Sequence, residues 1–206
     1  MQKSFGPKLR FTILIATLLL FCGQLQAQLT VPKNFEKTEE EYQQIAKEPG
    51  AVVFNPPEGW FLADPDALPS HVQVMVVGKG KYEFPPSINL SAEEFKGSMK
   101  DYLKIVREIN HSHGSEWKDL GTIRTQAGEA SLSQADVLTE WGSVRMLHVI
   151  LSRDGFIYIL TAAAIKEEFP RFYKTFFESL RSLHVNRDPK DMARSEKMRP
   201  RFEKST

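Results

Sequence analysis

The stretch VRMLHVILSRDGFIYILTAAA, residues 144–164, decides the fold class of this chain. Two apolar runs, residues 144–152 and 156–164, stand on either side of the Asp154-Gly155 pair, a dipeptide typical of tight hairpin turns. A connection this short joins only antiparallel neighbours. We therefore expect the two runs to form adjacent antiparallel strands.

Two further runs of strand type precede that hairpin. They cover residues 117–125 and 128–138, with Gln126-Ala127 between them, and residues 139–143 connect the second run to the hairpin. Short connectors again require antiparallel neighbours. The sequence therefore predicts a four-stranded antiparallel meander over residues 117–164, which forms the C-terminal part of an α+β domain.

Two segments have the spacing of amphipathic helices. The first is predicted near residues 92–110, because Ser91-Ala92-Glu93-Glu94 has the capping-box pattern. Its apolar residues are Phe95, Met99, Leu103, Val106 and Ile109. The second helix is predicted over residues 166–180, with the apolar face Phe169, Phe172, Tyr173, Phe176, Phe177 and Leu180. We expect both helices to flank the sheet.

Three short strands are predicted in the first half of the domain, at residues 51–54, 71–77 and 87–90. A proline-rich turn ends the first strand, and Gly78-Lys79-Gly80-Lys81 ends the second. The Gly-x-Gly also raises the alternative of a phosphate-binding loop. That motif needs a third glycine and a Lys-Ser or Lys-Thr pair, which are missing here, so we predict a flexible hairpin tip.

The first residues of the chain have the features of an export signal. Three basic residues lie within residues 1–10, an apolar run extends from Phe11 to Phe21, and Leu25-Gln26-Ala27 supplies a small residue for cleavage. The apolar run is too short to span a bilayer core of roughly 30 Å. We therefore expect residues 1–27 to be a signal peptide rather than a retained anchor, with no transmembrane segment after cleavage.

Cys22 is the only cysteine, and it lies within that signal. Lipoprotein signals place a small residue immediately before the modified cysteine, whereas Phe21 stands here, so lipidation of Cys22 is the less favoured alternative. Cleavage after Ala27 leaves no thiol, which excludes disulfides, thiolate nucleophiles and cysteine-bound metals. The predicted location is the periplasm or the extracellular medium.

The charge of the expected mature chain does not indicate a nucleic-acid partner. Cleavage after Ala27 leaves 24 basic and 26 acidic residues, a formal charge of −2. Residues 186–206 hold seven basic and four acidic residues without apolar periodicity, which predicts a disordered polar tail. Residues 28–50 form an N-terminal segment with a short helix that begins at the capping box Thr38-Glu39-Glu40-Glu41. The remaining residues, 51–185, are expected to form one domain.

Several stretches of that domain together resemble a known superfamily. They are the corner Pro57-Glu58-Gly59-Trp60, the triplet Gly128-Glu129-Ala130, the hairpin residues 153–161 and the aromatic residues 169–183. In type and order they resemble the PsbP-like and Mog-type superfamily, which includes exported bacterial DcrB-like proteins. Over residues 51–185 the resemblance implies an α/β/α sandwich and a non-catalytic role in binding or assembly. It carries over no functional residue.

One group of residues has the composition of a metal site. His111 and His113 would point the same way on an extended chain, and Glu116 and Asp119 would add carboxylates suited to zinc. The favoured interpretation is instead a solvated helix end, because polar residues and Gly114 are expected there. No further ligand follows at a suitable spacing. We predict no bound metal and no cofactor.

Signals of catalysis are weaker still. There is no Gly-x-Ser-x-Gly elbow, and no local spacing singles out a serine, histidine and acid. Trp60, Trp117 and Trp141 would suit a binding face, but packing is the expected role of large aromatics beside strands. The sequence therefore predicts no catalytic residue and a protein that is not an enzyme.

These observations favour an exported, non-catalytic binding or assembly module of the bacterial cell envelope. Its expected partner is another envelope protein or a small ligand. One alternative is a small envelope hydrolase, which would need polar groups that converge in a cleft. The other is a carrier of apolar ligands, with a cavity between sheet and helices.

Overall fold

A seven-stranded antiparallel sheet forms the centre of the protein in a computed structural model, which describes residues 50–186. A second sheet has two strands. The elements, in chain order, are β1 (Val52–Val53), β2 (Phe61–Leu62), β3 (Val72–Val77), β4 (Ser87–Glu94), α1 (Met99–Ser112), β5 (Glu116–Thr125), β6 (Gly128–Thr139), β7 (Gly142–Arg153), β8 (Phe156–Ile165), α2 (Phe169–Arg181) and β9 (His184–Val185). The predicted α+β class and antiparallel sheet are confirmed.

The strand order of the large sheet is β2-β3-β4-β8-β7-β6-β5. Strands β5 to β8 follow one another as antiparallel neighbours, and β8 also pairs with β4. The turn from β7 to β8 is Asp154-Gly155, and both residues have positive φ angles, 52° and 81°. These angles require the Asp-Gly chemistry that the sequence shows. The turn from β6 to β7 is shorter than the predicted connector, because both strands extend to leave only Glu140-Trp141 between them.

The two helices pack against alternate residues of β7 and β8. Helix α2 shares an apolar cluster with Val149 and Leu160, whereas α1 shares one with Ile150 and Ile159. Since successive residues of a strand point to opposite faces, the helices cover opposite faces of the sheet. Phe176 of α2 is completely buried at the centre of the larger cluster.

The predicted start of the first helix is wrong. Residues 91–94 belong to β4, because this strand pairs with β3 as far as Ser91 and with β8 as far as Glu94. Two ladders of backbone hydrogen bonds hold Ser91, and the ladder with β8 continues over residues 92–94, which satisfies their backbone without a helix. The capping box is formed instead by Ser98 and Asp101, and α1 begins at Met99. Phe95 therefore precedes the helix.

The second helix also begins later than predicted. Lys166 still belongs to the sheet layer, since its backbone N–H donates to the carbonyl of Ser143. Helix α2 starts at Phe169, with Pro170 in its first turn, where the missing N–H of proline costs nothing. The helix ends at Arg181, and β9 follows.

Strands β1 and β9 close the domain at its two ends. Val52 lies opposite Val185. The N–H of Gly50 donates to the carbonyl of Asn186, and the N–H of Asn186 donates to the carbonyl of Ala51. Neither the short β2 nor β9 was expected from the sequence, because two residues carry no periodicity. The predicted signal peptide, the helix after Thr38 and residues 187–206 of the tail lie outside the described residues. Within residues 50–186, no helix is long and apolar enough to cross a membrane.

Candidate functional site: the cleft between α1 and β5

An open cleft of ≈ 630 Å³ lies between α1 and β5, at the edge of the sheet. Its walls are Arg107 and His111 of the helix, Ser115 of the connecting turn and residues 116–119 of the strand. The lining carries charges of both signs, and Arg107 Nη2 lies 3.7 Å from Asp119 Oδ2. The cleft therefore suits a polar partner that brings charges of its own.

The end of α1 fixes the position of the cleft. Gly114 has a φ angle of 70°, in the left-handed region that favours glycine at helix ends. The backbone N–H of Ser115 then donates to the carbonyl of Asn110 over 3.0 Å, which turns the chain back along the helix. Strand β5 consequently runs beside α1, and the space between them forms the cleft.

The four residues considered for metal binding are only partly brought together. His111, Glu116 and Asp119 line the cleft. His113 turns away and caps the helix, with its Nδ1 2.8 Å from the carbonyl oxygen of Ile109. In the part of the chain that the structure describes, no three His, Cys, Asp or Glu side chains form a group that could hold a metal ion.

Ser115 places an unsatisfied polar group in the wall of the cleft. Its hydroxyl oxygen is buried and has no hydrogen-bond partner among residues 50–186. A buried polar group left in this state costs about 1–3 kcal/mol. The Ser115 hydroxyl is therefore an unsatisfied buried group beside the cleft.

Trp117 forms the floor of the cleft and covers a buried histidine. Its indole is stacked on the imidazole of His148, with ring centroids 5.7 Å apart and an angle of 19° between the planes. His148 Nδ1 lies 3.0 Å from the hydroxyl oxygen of Thr161 on the next strand. Burial lowers the pKa of His148 to about 4, so the ring is neutral at pH 7.

Ser133 lies opposite His148 in the pairing of β6 with β7. The Ser133 hydroxyl is buried and has no hydrogen-bond partner within the described residues, whereas His148 bonds to Thr161. A serine becomes a nucleophile when a base lies within hydrogen-bond reach of its hydroxyl. This pair lacks that contact, so the geometry does not activate Ser133.

Asp136 is a buried carboxylate on the face of the sheet opposite to that of His148, and it pairs with two partly exposed basic side chains. Arg145 Nε donates to Asp136 Oδ1 over 2.8 Å, and Arg145 Nη2 donates to Asp136 Oδ2 over the same distance. Lys166 Nζ also lies 2.8 Å from Asp136 Oδ2. The hydrogen bonds from Arg145 and then Lys166 hold the pKa of Asp136 at about 2, although burial opposes them. The three side chains join β6, β7 and the residue that follows β8.

Glu93 and Tyr102 form a second polar contact inside the protein. The Tyr102 hydroxyl donates to Glu93 Oε1 and so joins α1 to β4. Burial is the largest influence on both groups: it raises the pKa of Glu93 and, together with the charge of Glu93, the pKa of Tyr102. Tyr102 is completely buried, so this contact supports the packing of α1.

The Gly78-Lys79-Gly80-Lys81 loop binds a carboxylate of the protein itself. The backbone N–H of Lys81 donates to both oxygens of Glu168, over 3.0 and 3.1 Å. Glu168 is buried and also pairs with Arg171 at 2.9 Å. A Cβ atom on Gly80 would lie 2.8 Å from the Glu168 carboxylate, so glycine is needed for this close approach. The loop is thus fastened to the start of α2.

Two of the three tryptophans are packing residues. Trp60 meets Phe172 and Phe176 edge-on, each with a ring distance of 6.0 Å, and Trp141 lies 6.0 Å from Phe84. Trp117 differs because it also lines the cleft.

The sequence interpretation missed His148, Asp136 and the Glu93–Tyr102 contact. The sequence does contain a signal for His148, because this polar residue lies between Leu147 and Val149 in the apolar run of β7. A polar residue within a buried strand indicates a specific partner. The partner itself depends on strand register, which the sequence does not show.

Comparison with known proteins gives structural neighbours but no sequence relatives. No family model matches the chain, and no curated protein matches it. PsbP-type and Mog-type proteins are among its structural neighbours. These are the two kinds of protein whose superfamily the sequence resembles.

Three of these neighbours illustrate the likeness. Cyanobacterial PsbP (CyanoP) from Synechocystis has a TM-score of 0.46 and 14% identity, and the match covers 64% of this chain and 85% of that one. LpqN, described as involved in cell envelope biogenesis of Mycobacterium tuberculosis, has a TM-score of 0.47 and 15% identity, and the match covers 67% of this chain and 86% of that one. The Ran-binding protein Mog1p of Saccharomyces cerevisiae has a TM-score of 0.42 and 15% identity, and the match covers 66% of this chain and 91% of that one. At these scores the likeness does not say what this chain binds.

Proposed function

We propose that the chain is an exported, non-catalytic binding or assembly module of the bacterial cell envelope, and that the α1–β5 cleft is its contact site. Its architecture in this proposal is a PsbP-like α/β/α sandwich over residues 51–185, with the meander β5 to β8 as its core. Export is supported by the signal-like pattern of residues 1–27.

The observation that carries the binding role is the composition of the cleft. It is open, it has charged side chains of both signs, and the buried Ser115 hydroxyl stands in its wall. Such a lining recognises polar groups without supplying an activated nucleophile. It is also open to the surface, whereas a carrier of apolar ligands needs a cavity that encloses most of its ligand.

The shifted titratable groups support a non-catalytic role. Perturbed pKa values often mark catalytic sites. Here the strongly shifted groups, Asp136, His148 and Tyr102, each contact a neighbour that stabilises the fold. Arg107 and the other charged groups of the cleft wall instead lie at the surface, where they are available to a partner.

Site-specific photo-crosslinking in the cells that make the protein tests this proposal. A photoreactive amino acid replaces Lys118 in the cleft and, as a matched control, Lys174, an exposed lysine on α2. We expect a discrete covalent adduct from position 118 and none from position 174. Equal adducts from both positions, or none from position 118, would contradict the proposed contact site.

A pair of charge reversals sharpens the test. Arg107→Glu changes the wall of the cleft, whereas Lys104→Glu reverses an exposed charge on the same helix outside the cleft lining. We expect Arg107→Glu to reduce the adduct from position 118 several-fold and Lys104→Glu to leave it unchanged. Similar effects of the two variants would show that only the general charge of the helix matters.

A further inference from the structure

We propose that the partner binds as an extended polypeptide segment, which adds a strand to the edge of β5 along residues 116–119. This inference rests on the proposed function and names the kind of partner that the cleft takes. The test below distinguishes the failure of strand addition from the failure of the cleft as a contact site.

The edge of β5 that faces away from β6 is exposed. Among residues 50–186, β5 has a strand neighbour only on its β6 side. The strand at the opposite edge, β2, has two residues, whereas β5 has ten. Residues 118–122 are all exposed. An edge strand directs the N–H and C=O groups of alternate residues outward, and these groups form a template for another strand.

A bulge limits this template to a short segment. The pairing of β5 with β6 shifts between Asp119 and Thr122, and Gly121 has a φ angle of 87°. Asp119 Oδ1 accepts a hydrogen bond from the N–H of Gly121 over 2.9 Å and so stabilises the bulge. Bulges twist an edge away from regular pairing. The regular part before the bulge is residues 116–119, which coincide with the strand wall of the cleft.

The cleft provides contacts beyond the strand backbone. The Ser115 hydroxyl lies directly before the first residue of β5 and has no partner in the described part of the chain. On the helix side of the cleft, the Arg107 guanidinium group lies 3.7 Å from the Asp119 carboxylate and both side chains are exposed. This loose ion pair leaves guanidinium N–H groups for a partner.

Charge defines the sequence that would fit. Glu116 and Lys118 are exposed and two positions apart, so their side chains lie on the same face of β5 with opposite charges. Opposite charges directly across a strand pair are favourable and like charges are not. The partner segment therefore has a basic residue opposite Glu116 and an acidic residue opposite Lys118.

Crosslinks from successive positions of β5 test strand addition directly. A photoreactive residue is placed in turn at Glu116 and Lys118, with Tyr173 on α2 as an exposed control. The crosslinked residues of the partner are then mapped by mass spectrometry. Strand addition predicts one contiguous partner segment, along which the contact point advances two residues for each two-residue step on β5.

Two proline variants provide an independent test. In an antiparallel pair, the N–H groups of neighbouring residues point alternately to the paired strand and outward. One of the two variants Lys118→Pro and Asp119→Pro therefore removes an N–H that is bonded to β6, and we expect it to lower the melting temperature. The other variant removes an N–H that points outward, and we expect it to keep the parent melting temperature. We expect the variant that retains the parent melting temperature to give at least about tenfold less adduct from position 116, because it removes one hydrogen bond to the partner strand.

Each outcome decides the inference. A stepwise ladder of contacts on another protein supports it. Scattered contacts, or an adduct that the stable proline variant does not change, show binding by side chains, and the cleft then remains the contact site without strand addition. An adduct with a second copy, or an internal crosslink to residues 28–49 or 187–206, overturns the inference. No adduct from any β5 position overturns the proposed contact site as well.

Discussion

Trp117 covers His148 from the side of the cleft, with the two rings stacked 5.7 Å apart. Because burial lowers the pKa of His148 to about 4, the folded protein keeps this ring neutral where an unfolded chain would protonate it. A neutral ring is stabilising above pH 6.5, and this stability is lost as the pH falls from about 6.5 to about 4.

We therefore predict that the free energy of unfolding falls by up to about 3 kcal/mol between pH 7 and pH 4 through His148. His148→Gln, which retains a group for Thr161, removes most of this dependence, whereas His111→Gln at the surface does not. Urea unfolding at a series of pH values measures the effect. Parallel curves for the parent and His148→Gln would show that the histidine is not buried as described.

Asp136 gives a prediction in a lower pH range. Its folded pKa is about 2, so its stabilising effect is complete above the unfolded value of about 3.9 and is lost as the pH falls towards 2. We expect Asp136→Asn to lower the free energy of unfolding by at least about 2 kcal/mol at pH 7 and by little at pH 2. The control Asp119→Asn breaks only an exposed ion pair, and we expect a loss below about 0.5 kcal/mol.

The pH dependence of stability that Glu93 contributes is opposite in sign to that of Asp136. Its pKa is raised by burial, so the folded state favours the protonated acid, and the resulting stability is present at low pH and lost as the pH rises through the folded pKa. Glu93→Gln keeps an oxygen acceptor for Tyr102 and removes the charge. We expect a gain of roughly 0.5–1 kcal/mol at pH 7 that disappears below pH 4. Glu94→Gln, an exposed neighbour, should match the parent at both pH values; equal gains for the two variants would indicate a general charge effect.

The core of the domain is predicted to depend on Phe176 and not on the tail. Phe176 is completely buried against Trp60, Phe169 and Phe172, and Phe→Ala in a core costs about 3–5 kcal/mol. Deletion of residues 187–206 should leave the melting temperature within a few degrees of the parent. Thermal melts compare the two variants with the parent. A large loss on deletion with none for Phe176→Ala would refute both the domain boundary and the packing of α2.

Processing of the N-terminus is the last prediction. We expect mature protein that begins near Gln28 and is recovered outside the cytoplasm, because Ala27 follows a short apolar run. N-terminal sequencing and cell fractionation measure this directly. Retention of Met1, or an acyl group on Cys22, would replace secretion with an anchored form.

The strands over residues 116–165 were predictable because their signals are local. Alternation within each run and the Asp154-Gly155 turn act over a few residues, and the structure agrees to within one or two positions at most ends. The error at Ser91 had a non-local cause. Its capping pattern was genuine, but pairing of β4 with both β3 and β8 provided more hydrogen bonds than a helical turn.

The site was less predictable than the strands. His111, Glu116 and Asp119 were recognised as polar residues near a helix end, yet their separation from His113 depends on the turn at Gly114. The burial of His148 depends on Trp117, which lies 31 positions earlier on a strand that is not its neighbour. Contacts between distant strands follow from register, and a single sequence contains no direct signal for register.

Strands β1 and β9 place the first and last described residues side by side, with Gly50 N donating to Asn186 O over 2.7 Å. Two positions this close allow a circular permutation of the segment between them when a new opening falls in an exposed turn. The Asp154-Gly155 turn is such a position. A permuted chain that starts at Gly155 and ends at Asp154, with a few glycines joining residue 186 to residue 50, would keep every strand of the large sheet. The domain could therefore also be inserted as a single unit into a loop of another protein.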